Sequence, residues 1–134
     1  MTLSALASLV VLLAGLYLLL LGLACLAARP KATAFLQRFA GSARAHYLEM
    51  AVRLVVGAAF VLAAPGMAGP RVFAVVGWVL VATTVPLLLM PWRWHHRLAR
   101  RIVPPFLRLL PLVGACSVLA GLAVVGALLQ GPAA

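Results

Sequence analysis

The one acidic residue of the chain, Glu49, lies at the start of an apolar stretch, beside residues with which it could do chemistry. His46 precedes it by three residues and Arg53 follows it by four, so an α-helix places the three side chains on one face. Glu49 before Arg53 at i, i+4 is the favourable orientation for a helical ion pair. Two interpretations remain open: a structural ion pair that sets the depth of its helix, and a carboxylate that couples a proton or a substrate to transport.

The chain has few residues that could form another catalytic site or a metal site. The chain has no Asp and a single Glu, so it has no pair of carboxylates for general acid–base catalysis. His95 and His96 are adjacent, and on a helix their side chains point about 100° apart, so they cannot readily share one metal ion. No Cys or carboxylate lies at zinc-ligand spacing from them. The sequence therefore predicts a protein without enzymatic activity, metal or other cofactor.

The composition requires an apolar environment for most of the chain. Of its 134 residues, 66% are hydrophobic and 9% are charged, against roughly a quarter charged in a typical soluble protein. Apolar runs of about 20 residues are long enough to cross the hydrocarbon core as helices. We therefore predict an all-α membrane protein with four transmembrane helices in a compact bundle. The predicted spans are residues 3–28, 47–64, 72–90 and 106–130.

The positions of the basic residues predict the orientation of these spans. The connections 29–46 and 91–105 carry most of the Lys and Arg, the turn 65–71 holds only Arg71, and the two tails hold none. Cytoplasmic loops are enriched in Lys and Arg. Both connections are therefore predicted to be cytoplasmic and both termini periplasmic, as in a multi-pass protein of the bacterial inner membrane.

The same charges predict a partner. A net charge of +10 also occurs in nucleic-acid-binding proteins, but those carry their basic residues on a water-facing surface. Here the charges flank apolar spans, so we predict contact with anionic lipid headgroups and no binding of nucleic acid. The residues predicted to contact lipid are Arg29, Lys31, Arg38, Arg93, Arg97, Arg100, Arg101 and Arg108.

Each basic connection contains a short amphipathic stretch. Within residues 32–39 the apolar side chains recur at i, i+3, i+4 and i+7, and within residues 94–102 they recur every four residues among arginines. This pattern is typical of helices that lie in the headgroup region. The Pro104-Pro105 pair is predicted to end the second stretch, and the fourth span then begins at residue 106.

Small residues predict the faces on which helices approach closely. Ser8, Gly15 and Gly22 recur every seven residues along the first span, the spacing of a left-handed packing seam. Ser117 and Gly121 form a similar face on the fourth span. These faces could serve the bundle itself or a partner protein, and the sequence leaves both open.

The two halves of the chain follow the same order of an ingoing span, a basic connection and an outgoing span. Val52-Arg53-Leu54 precedes Gly57 in one half, and Leu107-Arg108-Leu109 precedes Gly114 in the other. One interpretation is a tandem 2+2 repeat of helical hairpins. The alternative is that any two hairpins that obey the positive-inside bias look alike.

The second half resembles a known family. The resemblance rests on Pro91-Trp92-Arg93, on Leu107-Arg108-Leu109-Leu110 and on Gly114, Ser117 and Gly121. This pattern is similar to that of the YjeT-like inner-membrane proteins, small two-span bacterial proteins without an established activity. The chain departs from the family by its additional first hairpin. The resemblance implies a small accessory membrane protein and assigns no functional residue.

Two functions follow from these patterns. The first is a non-enzymatic accessory, assembly or stabilising subunit of a larger membrane complex, whose partner is another membrane protein or a second copy of the chain. The second is a small homo-oligomeric, proton-coupled transporter with Glu49 as the coupling carboxylate. A transporter needs Glu49 to face a water-reachable cavity, whereas in a subunit Glu49 can close onto Arg53 or onto the partner.

Overall fold

Helices account for nearly all of the residues that the computed structural model describes, 2–39 and 43–131. Four of them are long and apolar: α1 (Leu3–Ala27), α3 (Ala43–Ala63), α4 (Pro70–Leu89) and α6 (Leu110–Gln130). Two basic helices connect them, α2 (Arg29–Phe39) between α1 and α3, and α5 (Trp92–Arg108) between α4 and α6. The four long helices are long and apolar enough to cross a membrane. The prediction of an all-α, four-span helical bundle is confirmed.

Local sequence signals place several of the helix ends. The Thr2 hydroxyl accepts a hydrogen bond of 3.1 Å from the amide of Ala5 and so caps the start of α1. A short 3-10 turn, Ala64–Gly66, follows α3. Gly69 then takes a positive φ of 73°, a conformation that favours glycine, and Pro70 begins α4.

The boundary between α5 and α6 differs from the sequence prediction. The backbone of α5 continues through Pro104 and Pro105 to Arg108, and α6 begins at Leu110 rather than at residue 106. Proline fixes φ near its helical value, and its missing N–H costs nothing in the first turn of a helix. Pro111 occupies such a position in α6 and marks the start of that helix.

The start of α3 shifts by the same number of residues as that of α6, and the remaining bounds shift by two residues or fewer. α1 ends at Ala27, and α3 begins at Ala43, ahead of the predicted start at residue 47. The predicted connection 29–46 therefore consists of α2 and the first turn of α3, together with residues 40–42, which lie outside the described residues.

The most extensive helix contact joins the first and last long helices. Gly15 lies against Gly121 and Gly22 against Gly114, so α1 and α6 run antiparallel along a seam of backbone contacts. A methyl group added at Gly22 would lie 2.7 Å from the carbonyl oxygen of Gly114, and one at Gly121 would lie 2.8 Å from that of Gly15. Any side chain at these positions would push the two helices apart.

A second seam of the same kind joins α3 and α4. A methyl group at Gly77 would lie 2.6 Å from the carbonyl oxygen of Gly57, and one at Gly57 would lie 3.0 Å from that of Gly77. The fold therefore consists of two closely packed pairs, α1–α6 and α3–α4, which the contact between α1 and α3 joins.

This pairing mixes the two halves of the chain. Each close pair combines one helix from each proposed repeat, and exchanging the halves maps the α1–α6 pair onto the α4–α3 pair. The same exchange would map the contact between α1 and α3 onto a contact between α4 and α6. Within the described residues, α4 and α6 share no contact of comparable extent, so the bundle is closed on one side and open on the other. Duplication itself stays a prediction.

The two ends of the bundle are packed differently. At one end, here called the terminal end because α1 begins and α6 ends there beside the 3-10 turn, one apolar cluster draws on all four long helices, and the amide of Ala68 donates a 3.0 Å hydrogen bond to the carbonyl of Ala127. At the opposite end, here called the basic end because α2 and α5 lie there, Cys25, Ala32 and Leu110 form a smaller cluster. The bundle is thus most firmly closed at its terminal end.

We expect Gly22→Ala to lower the free energy of unfolding by about 1–3 kcal/mol, because the new methyl group meets the α6 backbone. Unfolding in mixed detergent micelles, followed by circular dichroism, measures the change. Gly126→Ala on α6 is the matched control, since nothing lies within 4 Å of a methyl group there. Equal losses in the two variants would contradict the packing seam.

Candidate functional site

An open cleft lies between the two helix pairs. Its volume is about 1430 Å³, larger than the roughly 300–1,000 Å³ of most small-molecule pockets. All four long helices and α5 contribute to its walls, and most of the lining is apolar. Representative lining residues are Leu13, Tyr17, Phe60, Phe73, Ile102 and Ala123.

Glu49 and Arg53 form the charged part of this lining. The distance between Arg53 Nη1 and Glu49 Oε1 is 3.8 Å, and the two side chains are 30% and 33% exposed. The one carboxylate of the sequence thus both closes onto its arginine and faces the cleft. Because opposite charges compensate each other, the pair brings no net charge into the apolar wall.

Arg53 also connects α3 to α4. Its Nε donates a hydrogen bond of 3.0 Å to the hydroxyl of Thr84, and its Nη2 donates one of 3.1 Å to the hydroxyl of Thr83. The hydroxyls in turn donate to backbone carbonyls of α4, that of Val79 at 2.7 Å and that of Leu80 at 2.5 Å. The guanidinium is therefore held on three sides, and the α3–α4 pair gains a polar contact beside its glycine seam.

His46 does not share the surroundings of the other two residues. It is 1% exposed and its ring centroid lies 5.0 Å from that of Tyr47, in an edge-on contact. Among the described residues that line the cleft, Glu49 and Arg53 appear and His46 does not. Glu49 and Arg53 therefore share the cleft, as their common helical face predicted. His46 lies on the same face but does not line the cleft, because the surroundings of α3 change along its length.

The apolar stripe of α5 closes the basic end of the cleft. Leu98 and Ile102 line the cleft itself. Leu98 also borders a smaller hollow of about 320 Å³, lined in addition by Met90, Trp94, Arg97 and Arg101. All basic residues for which lipid contact was predicted are exposed: Arg29, Lys31 and Arg38 on α2, and Arg93, Arg97, Arg100, Arg101 and Arg108 on α5.

Four of the five predicted packing residues fall at the contact of α1 and α6. Gly15, Gly22 and Gly121 form the seam, and the Ser117 hydroxyl donates a 2.7 Å hydrogen bond across it to the carbonyl of Leu18. Ser8 is half-buried on α1. Gly15, Gly22, Ser117 and Gly121 therefore pack inside the bundle, and use of these faces by a partner protein stays a prediction.

The acceptors of Arg53 were not predicted from the sequence. Thr83 and Thr84 form a hydroxyl pair in an otherwise apolar span, and that pattern could have identified them, because an arginine inside a bilayer requires acceptors. Gly77 was missed as the partner of Gly57 for a different reason, since a single glycine in a helix carries no pairing information.

Within residues 2–39 and 43–131, no three His, Cys, Asp or Glu side chains come together as metal ligands would. Comparison of the chain with protein-family models, with curated proteins and with solved structures finds no match. The resemblance of the second half to YjeT-like proteins therefore stays a prediction, and the site has to be interpreted from its own geometry.

We expect Thr84→Val to lower the free energy of unfolding by about 1–2 kcal/mol, because Arg53 Nε loses a buried acceptor while the side-chain volume is preserved. Thr83→Val is the matched comparison at the neighbouring, exposed position and should have a smaller effect. Unfolding in mixed micelles gives both values. A larger effect at Thr83 than at Thr84 would contradict this assignment.

Proposed function

We propose that the chain is a non-enzymatic subunit of a bacterial inner-membrane complex, which it helps to assemble or stabilise while its basic end holds anionic lipids. The observation that carries the proposal is the open side of the bundle between α4 and α6. In a bilayer that side takes up either lipid or a helix of another protein. Such a subunit would act by offering this open side to a partner and would catalyse no reaction.

The state of the charged groups supports a structural role. The single carboxylate is engaged with Arg53, and Arg53 is engaged with two threonines of α4. Such a network stabilises a helix pair without any exchange of protons. His46, the titratable residue predicted beside Glu49, is buried and does not line the cleft among the described residues.

The orientation belongs to the same proposal. We place the basic end in the cytoplasm and both termini in the periplasm, because the arginines of α2 and α5 then meet anionic headgroups on the side where the positive-inside bias retains them.

Single-cysteine labelling tests this orientation. In a Cys25→Ala, Cys116→Ser background, we expect Gly66→Cys to react with a membrane-impermeant maleimide in intact spheroplasts, since its side chain would enter open space. Arg97→Cys, on the exposed face of α5, should react only after permeabilisation. Labelling of Arg97→Cys in intact spheroplasts, with Gly66→Cys protected, would contradict the orientation.

Proton-coupled transport remains the second candidate because Glu49 faces the cleft. A coupling carboxylate has to bind and release a proton in turn, and Oε1 of Glu49 lies 3.8 Å from Nη1 of Arg53. Transport would therefore require the ion pair to open in each cycle.

Glu49→Gln separates the two functions, because it preserves the shape of the side chain and removes the titratable group. For a subunit, we expect the variant to retain the same co-migrating polypeptides as the wild type when both are purified in a mild detergent. Gly22→Leu, which disrupts the bundle, should lose them and serves as the control. A wild-type protein that migrates only as a homo-oligomer, together with loss of proton-driven uptake in Glu49→Gln, would favour the transporter.

A further inference from the structure

We propose that the hollow on α5 and the adjoining cleft form one binding site for a single anionic phospholipid. The headgroup phosphate binds Arg97 and Arg101, and the acyl chains pass Leu98 and Ile102 into the cleft. This inference rests on the lipid contact of the proposed function and gives that contact a defined place.

The headgroup half of the site follows from an excess of positive charge. Arg97 and Arg101 are separated by one helical turn and border the same hollow, so their charges repel each other. The chain has eleven Lys and Arg against one acidic residue, and that residue is paired with Arg53. The counter-charge at Arg97 and Arg101 must therefore come from another molecule.

The shape of the hollow favours a phosphate at the membrane surface. Two guanidinium groups can bind a phosphate through paired hydrogen bonds. Trp94 lines the same hollow, and tryptophan side chains prefer the headgroup level of a bilayer. A volume of about 320 Å³ accommodates a polar headgroup but not two acyl chains.

The acyl half of the site follows from the continuity of the two spaces. Leu98 lines both the hollow and the cleft, so one molecule can occupy both. From Leu98 and Ile102 the apolar lining continues to Phe60 and Phe73, beside the apolar cluster of the terminal end. A hydrocarbon chain is flexible enough to follow this continuous apolar lining.

The first experiment titrates the purified full-length chain, in a neutral detergent, with phosphatidylglycerol, phosphatidylcholine and soluble glycerol phosphate. We expect phosphatidylglycerol to bind with the highest affinity. Arg97→Gln/Arg101→Gln should weaken it roughly 10- to 30-fold, from about 1 kcal/mol for each arginine near an anionic lipid. Arg93→Gln/Arg100→Gln removes the same charge from the same helix outside the hollow and should weaken the binding of this lipid clearly less than the first pair does.

The second experiment tests the acyl half. Ala123 lines the cleft on α6, and Ala123→Phe should reduce the affinity for phosphatidylglycerol while leaving that for glycerol phosphate unchanged. Ala115→Phe is the control, because Ala115 is exposed on the same helix away from the cleft lining. Thermal midpoints without lipid verify that each variant is folded.

Several results would overturn the inference. Equal losses in the two arginine pairs would mean that binding depends on charge alone. Equal affinities for glycerol phosphate and phosphatidylglycerol would mean that the hollow binds free phosphate. A partner helix that displaces the lipid from the cleft would assign the cleft to protein.

The lipid titration and the purification of co-migrating polypeptides together distinguish a wrong lipid site from a wrong proposed function. If the lipid selectivity is absent while the co-migrating polypeptides persist, the site is wrong and the subunit role stands. If selective phosphatidylglycerol binding occurs without any partner polypeptide, the site stands and the subunit role is wrong.

Discussion

Helices in a bilayer associate without the hydrophobic driving force that assembles soluble bundles, because lipid is as apolar as their side chains. Their association depends on how closely backbones can approach. In this protein three glycine pairs allow that approach, Gly15–Gly121 and Gly22–Gly114 between α1 and α6, and Gly57–Gly77 between α3 and α4. Every other feature depends on the two helix pairs that result. The fold would not survive bulky residues at these glycine positions, although such residues would suit the surrounding lipid equally well.

The cleft is a consequence of how the two pairs meet. α1 and α3 pack along each other, while α4 and α6 do not to a comparable extent within the described residues. Apolar packing and the hydrogen bond between Ala68 and Ala127 close the terminal end, so the space between the pairs is bordered at the other end by α5. An amphipathic helix suits this position, since one face meets hydrocarbon and the other meets headgroups.

The charged groups also differ according to whether they lie among the apolar spans or at the basic end. Arg53, which lies deeper in α3 than Arg44, has a carboxylate and two hydroxyls to bind, whereas the arginines of α2 and α5 lie exposed at the basic end. A buried cation without such partners would be costly in hydrocarbon. An exposed cation at the headgroup level can instead bind lipid phosphate. Depth therefore separates Arg53, which has partners within the bundle, from the exposed arginines for which we propose lipid contact.

The sequence by itself determined the helical class, the four spans, the basic connections and the Glu49–Arg53 pair. These follow from composition and from spacing within a single helix, which are local properties. Tertiary structure alone decided that α1 pairs with α6, that Thr83 and Thr84 receive Arg53, that His46 lies outside the cleft lining, and that Leu98 joins the hollow to the cleft. The physical reason is that apolar spans of similar composition can pack in several registers, and only the mutual fit of backbone and side chains from distant parts of the chain selects one.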